Sequence, residues 1–240
     1  QRNLVGIECM SGIPGFVGGT PVQNVGAYGQ DVSETIVTVR CLDRQTLSVV
    51  DLDNKECGFS YRKSIFNSTE SGRYIVLSVS FCFLKDGEPK IEYKDIREYF
   101  GERKPTLSEV RKAVLSIRRS KSMVIDADDP NSRSAGSFFK NPVILVEEFG
   151  KIKDAFPNAP SFVVDENTVK IPAAWLIENA GFHKGYALGN AGISSKHTLA
   201  LINRGGASAE EIVKLKDEIQ VKVSLRFGIE LQPEPIFVGF

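Results

Sequence analysis

Alternating apolar and polar residues predict three strands in the first third of the chain. They cover residues 34–42, 47–52 and 73–84. The first two flank a turn-forming DRQ sequence and should form a hairpin, and the third should lie beside them in an antiparallel sheet. In that third strand the alternation places four apolar side chains on one face: Ile75, Leu77, Val79 and Phe81.

Two capping boxes mark the clearest helices. Thr106 with Glu109 begins one helix, and Ser208 with Glu211 begins another. Each is followed by an apolar stripe at helical spacing: Leu107, Val110, Val114 and Ile117 in the first, and Ile212, Leu215, Ile219 and Val223 in the second. Further helices are predicted at 172–181, between a proline and a glycine, and at 143–156, with a strand at 198–202. This mixture of elements indicates an α+β fold.

Residues 11–29 form a glycine-rich segment that carries no charge. Its six glycines and two prolines make it too apolar for a linker and too rich in glycine for a helix. Closely spaced backbone N–H groups can bind an anion or a heterocycle, and Gln23 and Asn24 add amides that both donate and accept. The glycine spacing fits neither the Rossmann nor the Walker pattern. A compact surface loop is the alternative.

The sequence SAGSFFKNP at residues 134–142 places a serine between small residues and two aromatics. Gly136 allows a close approach of the backbone, and Pro142 favours an extended conformation at Asn141. Two interpretations fit this pattern. It is either a tight turn that buries both phenylalanines, or a site in which Ser137 donates a proton.

Charged residues stand at three further places where they could meet a ligand. Arg62 lies among aromatics in FSYRKSIF, so its partner is either a structural carboxylate or a ligand oxyanion. Arg118, Arg119 and Lys121 end a predicted helix, where they either complement the helix dipole or bind a diphosphate. Glu234 lies between two prolines that would fix its direction, although an acid on an edge strand is the simpler explanation.

Composition narrows the classes of function. Lys+Arg and Asp+Glu number 30 each, so no overall field favours nucleic acid. The four cysteines lack C-x-x-C spacing and are typical of reduced, mostly buried thiols in a cytoplasmic protein. No apolar run could span a bilayer, and no signal peptide is expected. Two histidines are too few for an ordinary metal site, so no metal is expected.

Six motifs, in order, resemble the UDP-N-acetylenolpyruvoylglucosamine reductase family. They are GIECMSGIPGFVGGTPVQNVGAYGQ, FSYRKSIF, AGSFFKNP, IPAAWLIENAGF, LALINRGGAS and LQPEPIFVG, and they span essentially the whole chain. The resemblance implies the FAD-binding fold shared with vanillyl-alcohol oxidase, in the family's type I form with an extra loop near Tyr93. Residues 1–100 would then be the C-terminal part of the FAD-binding region, its second subdomain. Residues 101–240 would be the substrate-binding domain, with the chain returning near its end to the active site.

The resemblance also implies a reaction. Members of the family are UDP-N-acetylmuramate dehydrogenases of bacterial peptidoglycan synthesis. They pass a hydride from NADPH to FAD and then to C3 of the enolpyruvyl group of UDP-N-acetylglucosamine enolpyruvate. By similarity, Ser137 would protonate C2, with Lys140 or water assisting, while Arg62 and Glu234 would stabilise and orient the enol-like intermediate.

The same resemblance assigns residues to the ligands. Tyr93, Arg118, Lys121 and Asn141 would hold the UDP-sugar, with the cations on its diphosphate. Residues of the glycine-rich segment would face the flavin: Gly12, Ile13, Pro14, Gly15, Gly18, Thr20, Pro21, Gln23, Asn24, Gly26, Ala27 and Tyr28. FAD is therefore the expected cofactor, NADPH and the UDP-sugar are the expected partners, and we expect a monomer.

Two departures from the family pattern matter. Gln232 stands where the family commonly has Glu, although Glu234 is kept. The family's first FAD-binding subdomain lies upstream of the position equivalent to Gln1. We therefore expect that this subdomain is missing from the 240 residues of this chain. The alternative to a reductase is therefore a non-catalytic UDP-sugar-binding chain without flavin, which would need no proton donor. Another flavin oxidase of the same fold would not explain AGSFFKNP.

Overall fold

The computed structural model describes residues 2–239, which form two compact units. Unit 1 runs to Arg119, and unit 2 begins at Ser120. Among the described residues, unit 1 has one apolar cluster formed mainly by helices and another formed mainly by strands, and unit 2 has a single cluster to which both contribute. The α+β class is therefore confirmed. Within the described residues, no helix is long and apolar enough to cross a membrane.

Unit 1 is built around a three-stranded antiparallel sheet. The strands of unit 1 are β1 (Leu4–Val5), β2 (Gly26–Ala27), β3 (Gln30–Asp31), β4 (Ile36–Asp43), β5 (Ser48–Asp53), β6 (Tyr74–Phe81) and β7 (Leu84–Lys85). Its helices are α1 (Lys94–Phe100) and α2 (Leu107–Ser120). The sheet order β5-β4-β6 confirms the predicted hairpin and its neighbour. β2 pairs with β3, and β1 pairs with β7.

The prediction of a single apolar face on β6 is wrong. The register of β4 against β6 skips Leu77, which forms a β-bulge. The alternation of faces changes at this extra residue, so that Val76 and Val79 both pack in the core. Ile75 and Leu77 are exposed instead. The one-residue bulge therefore changes which side chains of β6 face the core.

Helix α2 packs in unit 1, although we expected it in the second domain. Its capping box is present: the Thr106 N–H donates to Glu109 Oε2 over 2.8 Å, and the Glu109 N–H donates back to Thr106 Oγ1 over 3.4 Å. Val110 and Val114 are fully buried in a cluster with Ile96 of α1. Because this stripe is buried within unit 1, the unit extends beyond residue 100.

Unit 2 contains two antiparallel sheets and three helices among its described residues. Its strands are β8 (Ser134–Ser137), β9 (Val143–Leu145), β10 (Phe162–Val163), β11 (Thr168–Lys170), β12 (Ala187–Leu188), β13 (Ala191–Ile193) and β14 (Ala200–Asn203). Its helices are α3 (Val146–Ala155), α4 (Ala173–Asn179) and α5 (Ala209–Phe227). The sheet orders are β12-β13-β14-β8 and β10-β11-β9. The helix predicted at 143–156 begins three residues late because β9 pairs with β11.

Helix α5 confirms its predicted stripe and cap. Leu215, Ile219 and Val223 are fully buried in the unit 2 core. The Ser208 N–H donates to Glu211 Oε2 over 3.0 Å, and the Glu211 N–H donates to Ser208 Oγ over 3.2 Å. A cap of this kind stabilises a helix by about 1 kcal/mol. The predicted α4 is also present, directly after a proline.

Candidate functional site

Ser137 is the last residue of a strand and not part of a tight turn, which was one of the two interpretations of its motif. It lies at the end of β8, opposite Ala200 of β14. Gly136 before it has a φ of 81°, a left-handed conformation that glycine adopts without strain. Phe138 and Phe139 after it are only 4% and 1% exposed. The two rings therefore anchor the strand end in the core and leave Ser137 half-buried.

The tail of the chain runs antiparallel to the residues that follow Ser137. The Lys140 N–H donates to the Gln232 carbonyl, and the Glu234 N–H donates to the Phe138 carbonyl, both over 2.9 Å. The residue between these two tail positions is a proline, which has no N–H to donate. Backbone pairing therefore places Glu234 beside the SAGSFFKNP motif, within unit 2.

Asn141 caps a helix from a distant position in the sequence. Its Oδ1 accepts a hydrogen bond of 2.8 Å from the N–H of Ala173, the first residue of α4. The N–H groups of the first helical turn have no partner within the helix, so this contact satisfies one of them. Asn141 thus has a structural role that the sequence did not indicate.

Arg62 is held in unit 1 by the short hairpin of β2 and β3. Its Nη2 donates to the Gly26 carbonyl over 2.7 Å, and its Nη1 lies 3.8 Å from Asp31 Oδ1. Its guanidinium lies 5.3 Å from the ring centroid of Tyr61, within the range of a cation–π interaction. The structural ion pair considered for Arg62 is therefore present, at a distance too long for a hydrogen bond.

Tyr28, Tyr93 and Arg118 form a polar cluster in unit 1, in which Tyr28 is half-buried and Tyr93 is 43% exposed. The two tyrosine rings meet edge to face with their centroids 5.3 Å apart. Arg118 is 8% exposed and is hydrogen-bonded to Tyr28. Burial raises the pKa of Tyr28 to about 12 and lowers the pKa of the Arg118 guanidinium. A residue assigned to the flavin thus contacts two residues assigned to the UDP-sugar.

The glycine-rich segment is partly open and partly tied into unit 1. The Asn24 amide holds the fold, because its Nδ2 donates to the Ser60 carbonyl and its Oδ1 accepts from the Ser33 N–H, both over 3.1 Å. A Cβ added at Gly15 or Gly19 would meet no atom within 4 Å. The segment therefore has an open side at Gly15 and Gly19.

Three of the four cysteine thiols are buried within unit 1. Cys9, Cys41 and Cys57 are buried free thiols, as predicted, whereas Cys82 is exposed. Among residues 2–239, no group of three or more His, Cys, Asp or Glu side chains is arranged to hold a metal ion.

Sequence reasoning missed the side chains that hold the loop between α2 and β8. Asp129 accepts hydrogen bonds from Ser122 and from Lys196, which is 67 positions further along the chain. The abundance of Asp, Ser and Asn did indicate a loop here. Nothing in the local pattern could have shown which distant lysine would meet which aspartate.

Comparison with known proteins relates the chain to one family. Residues 128–238 match the family model described as UDP-N-acetylenolpyruvoylglucosamine reductase, C-terminal domain. A curated relative with the same reductase name, from Thermobifida fusca, is 46% identical over 251 aligned positions that cover 100% of this chain and 70% of the relative. The corresponding protein of Streptomyces coelicolor is 44% identical, with 100% and 65% covered.

A solved structure supports the same fold. It is a crystal structure of UDP-N-acetylenolpyruvylglucosamine reductase from Thermus caldophilus, with a TM-score of 0.62 and 23% sequence identity. The match covers 97% of this chain and 64% of that one. This chain therefore spans about two thirds of the length of the proteins it matches. At 46% identity over 70% of a curated relative, the chain belongs to the UDP-N-acetylenolpyruvoylglucosamine reductase family of oxidoreductases.

Proposed function

We propose that this chain carries the substrate-reducing machinery of a UDP-N-acetylmuramate dehydrogenase. The reaction reduces UDP-N-acetylglucosamine enolpyruvate to UDP-N-acetylmuramate for peptidoglycan synthesis, with NADPH as the electron donor and FAD as the carrier. Family membership supports the class of reaction. The observation that carries the proposal is the pairing of the tail with SAGSFFKNP, in which the Glu234 N–H donates to the carbonyl of Phe138, the residue after the half-buried Ser137.

Reduction of the enolpyruvyl double bond needs a hydride at C3 and a proton at C2. When bound, reduced FAD supplies the hydride. The Ser137 O–H delivers the proton to C2, so that one hydride and one proton add across the double bond. The pKa of a serine hydroxyl lies far above neutrality, so the alkoxide left behind needs a nearby cation or water. Lys140, three residues further along the same motif, is the candidate cation.

Negative charge that develops on the substrate is stabilised by fixed groups of the chain. Arg62, held by the Gly26 carbonyl, would face the substrate carboxylate, and Glu234 would orient the enol-like intermediate. Arg118 and Lys121 would bind the diphosphate. Burial strengthens the interaction of Arg118 with an anion, because a low dielectric screens charge less.

Tyr93 of unit 1 and Asn141 of unit 2 would also bind the UDP-sugar. In unit 1, the open side of the glycine-rich segment would lie against the flavin, in a fold of the vanillyl-alcohol oxidase type. We further propose that the protein acts as a monomer in the cytoplasm.

Flavin binding by this chain tests the cofactor part of the proposal. FAD fluorescence is titrated with the 240-residue chain, with and without UDP-N-acetylglucosamine enolpyruvate. Stoichiometric binding would support a flavin site formed by the glycine-rich segment. Binding of the UDP-sugar without any flavin would instead favour the non-catalytic alternative.

The role of Ser137 is tested by separating the two half-reactions in a protein of full family length. Ser137→Ala should leave reduction of the flavin by NADPH intact and abolish its reoxidation by the enolpyruvyl substrate. Ser161→Ala, at an exposed serine of unit 2, is the matched control and should leave both half-reactions intact. Equal loss of both half-reactions in Ser137→Ala would refute the proton-donor role.

A further inference from the structure

We propose that Ser122, Asp129 and Lys196 form a clamp that positions Lys121 for the diphosphate of the UDP-sugar. All four residues belong to unit 2. The three clamp residues are positioning residues, since they act on the ligand through Lys121. Because it takes Lys121 as a diphosphate ligand, this inference rests on the function proposed above.

The clamp is centred on the Asp129 carboxylate. Ser122 Oγ donates to Asp129 Oδ2 over 2.6 Å, and Lys196 Nζ donates to the same oxygen over 3.1 Å. Asp129 Oδ1 accepts the N–H of Asn131 over 3.0 Å. These hydrogen bonds hold the pKa of Asp129 at about 2, with the Ser122 contact as the largest cause. The carboxylate is therefore ionised at neutral pH and keeps both side-chain partners.

A second contact ties the same loop to the turn that carries Lys196. Asn131 Oδ1 accepts the N–H of Ser195 over 2.9 Å and the hydroxyl of Ser194 over 3.1 Å. Ser194 is fully buried. Two neighbouring positions of the loop, 129 and 131, are thus bound to three consecutive residues of the turn after β13. Several bonds across one interface fix the loop more firmly than a single bond would.

Ser122 explains why the clamp acts on Lys121. It has a φ of 55°, a left-handed conformation that residues other than glycine seldom adopt, and it is 3% exposed. Glycine usually fills this position just after a helix, because it adopts the conformation without strain. Here the hydrogen bond to Asp129 holds a serine in it. Since Lys121 is the preceding residue, that bond would help to fix the direction of its backbone.

The loop also reaches the strand that carries the proposed proton donor. An added Cβ at Gly136 would lie 3.9 Å from Met123 Cε, so the Met123 side chain lies beside the residue that precedes Ser137. One clamped loop therefore carries Lys121 at its start and leads into β8 at its end. The same contacts would then position both Lys121, which would bind the diphosphate, and Ser137, the proposed proton donor.

The test measures binding of UDP to the complete chain by isothermal titration calorimetry. Asp129→Asn and Lys196→Met should each weaken UDP binding about tenfold, because Lys121 loses its fixed direction. Lys222→Met is the matched control, since Lys222 is 45% exposed and bound to Glu218 over 2.8 Å, while Lys196 is 44% exposed and bound over 3.1 Å. The control should bind UDP as the unaltered chain does. Lys196→Arg, which keeps the donor, should restore affinity.

A double-mutant cycle with Lys121→Met separates positioning from general damage to the fold. If the clamp acts through Lys121, Asp129→Asn should add no further loss of affinity in the Lys121→Met background. Full additivity of the two losses, or unchanged UDP binding by Asp129→Asn alone, would overturn the inference and leave the proposed function standing. Absence of UDP binding by the unaltered chain would overturn the proposed UDP-sugar site, and the clamp's role with it.

Discussion

Replacing Asn141 separates its structural contact from its proposed contact with substrate. Pro172, at the N-cap of α4, has no side-chain acceptor, so Asn141 provides the capping oxygen instead. Asn141→Ala leaves the Ala173 N–H without that oxygen in a partly buried place. The loss of such a cap costs about 1 kcal/mol of stability, within a range of about 0.5–2 kcal/mol.

Asn141→Asp should have the opposite effect on stability. The carboxylate keeps an oxygen where Oδ1 now accepts the Ala173 N–H. It also places a negative charge at the N-terminus of α4, where the helix dipole favours it by about 0.3–1 kcal/mol. Asn141→Asp is therefore expected to be at least as stable as the unaltered chain. If Asn141 also binds the UDP-sugar, the added charge should still weaken UDP binding, because it repels the diphosphate.

The chain carries its own probe for this comparison. Trp175, its single tryptophan, lies in α4, so its fluorescence reports on the helix that Asn141 caps. With an m-value of about 2–3 kcal/mol/M in urea, a loss of about 1 kcal/mol moves the unfolding midpoint down by about 0.3–0.5 M. Asn158→Ala, at an exposed asparagine of the same unit, should leave the midpoint unchanged. Equal destabilisation by Asn141→Ala and Asn141→Asp would refute the capping argument.

Three further predictions concern unit 1. Hydrogen bonds from Arg73 lower the pKa of Asp43 in the folded chain from its ordinary value of 3.8 to about 2. Asp43→Asn should therefore lower stability above pH 3.8, and this difference should vanish as the pH falls through about 2. Urea unfolding midpoints measured near pH 6 and near pH 2 check this expectation. Gly26→Ala should destabilise the β2–β3 hairpin by about 1–3 kcal/mol, because the new Cβ would lie 1.6 Å from Asp31 Oδ1, and thermal unfolding followed by circular dichroism measures this. In a thiol titration, Cys82 should react first in the folded chain and the three buried cysteines only in denaturant.

Features set by neighbouring residues could be predicted from the sequence. The capping boxes at Thr106 and Ser208 join residues three positions apart, and the stripes behind them follow the period of a helix, so both helices were found with their starts. The bulge at Leu77 could not be found in this way. It depends on how β6 aligns with a strand more than thirty residues earlier, and alternation within one strand says nothing about that register.

The same distinction holds at the candidate site. Ser137, Lys140 and Asn141 share one motif, and the sequence pointed to them together. Their partners lie far along the chain: Ala173 for the Asn141 oxygen and Gln232 for the Lys140 N–H. Ser122 and Lys196 likewise meet at Asp129 only because the chain returns to that loop. Local chemistry suggests which residues could act, whereas long-range pairing determines what each one is bound to.

The tail shows how a local signal can still constrain a long-range contact. Pro233 and Pro235 lack a backbone N–H, so within the PEP sequence only Glu234 can donate a backbone hydrogen bond. Its N–H donates to the Phe138 carbonyl. A shift of the tail by one residue would set a proline opposite that carbonyl and would also turn the Glu234 side chain to the other face. The two prolines therefore fix both the register of the pairing and the face that the carboxylate presents.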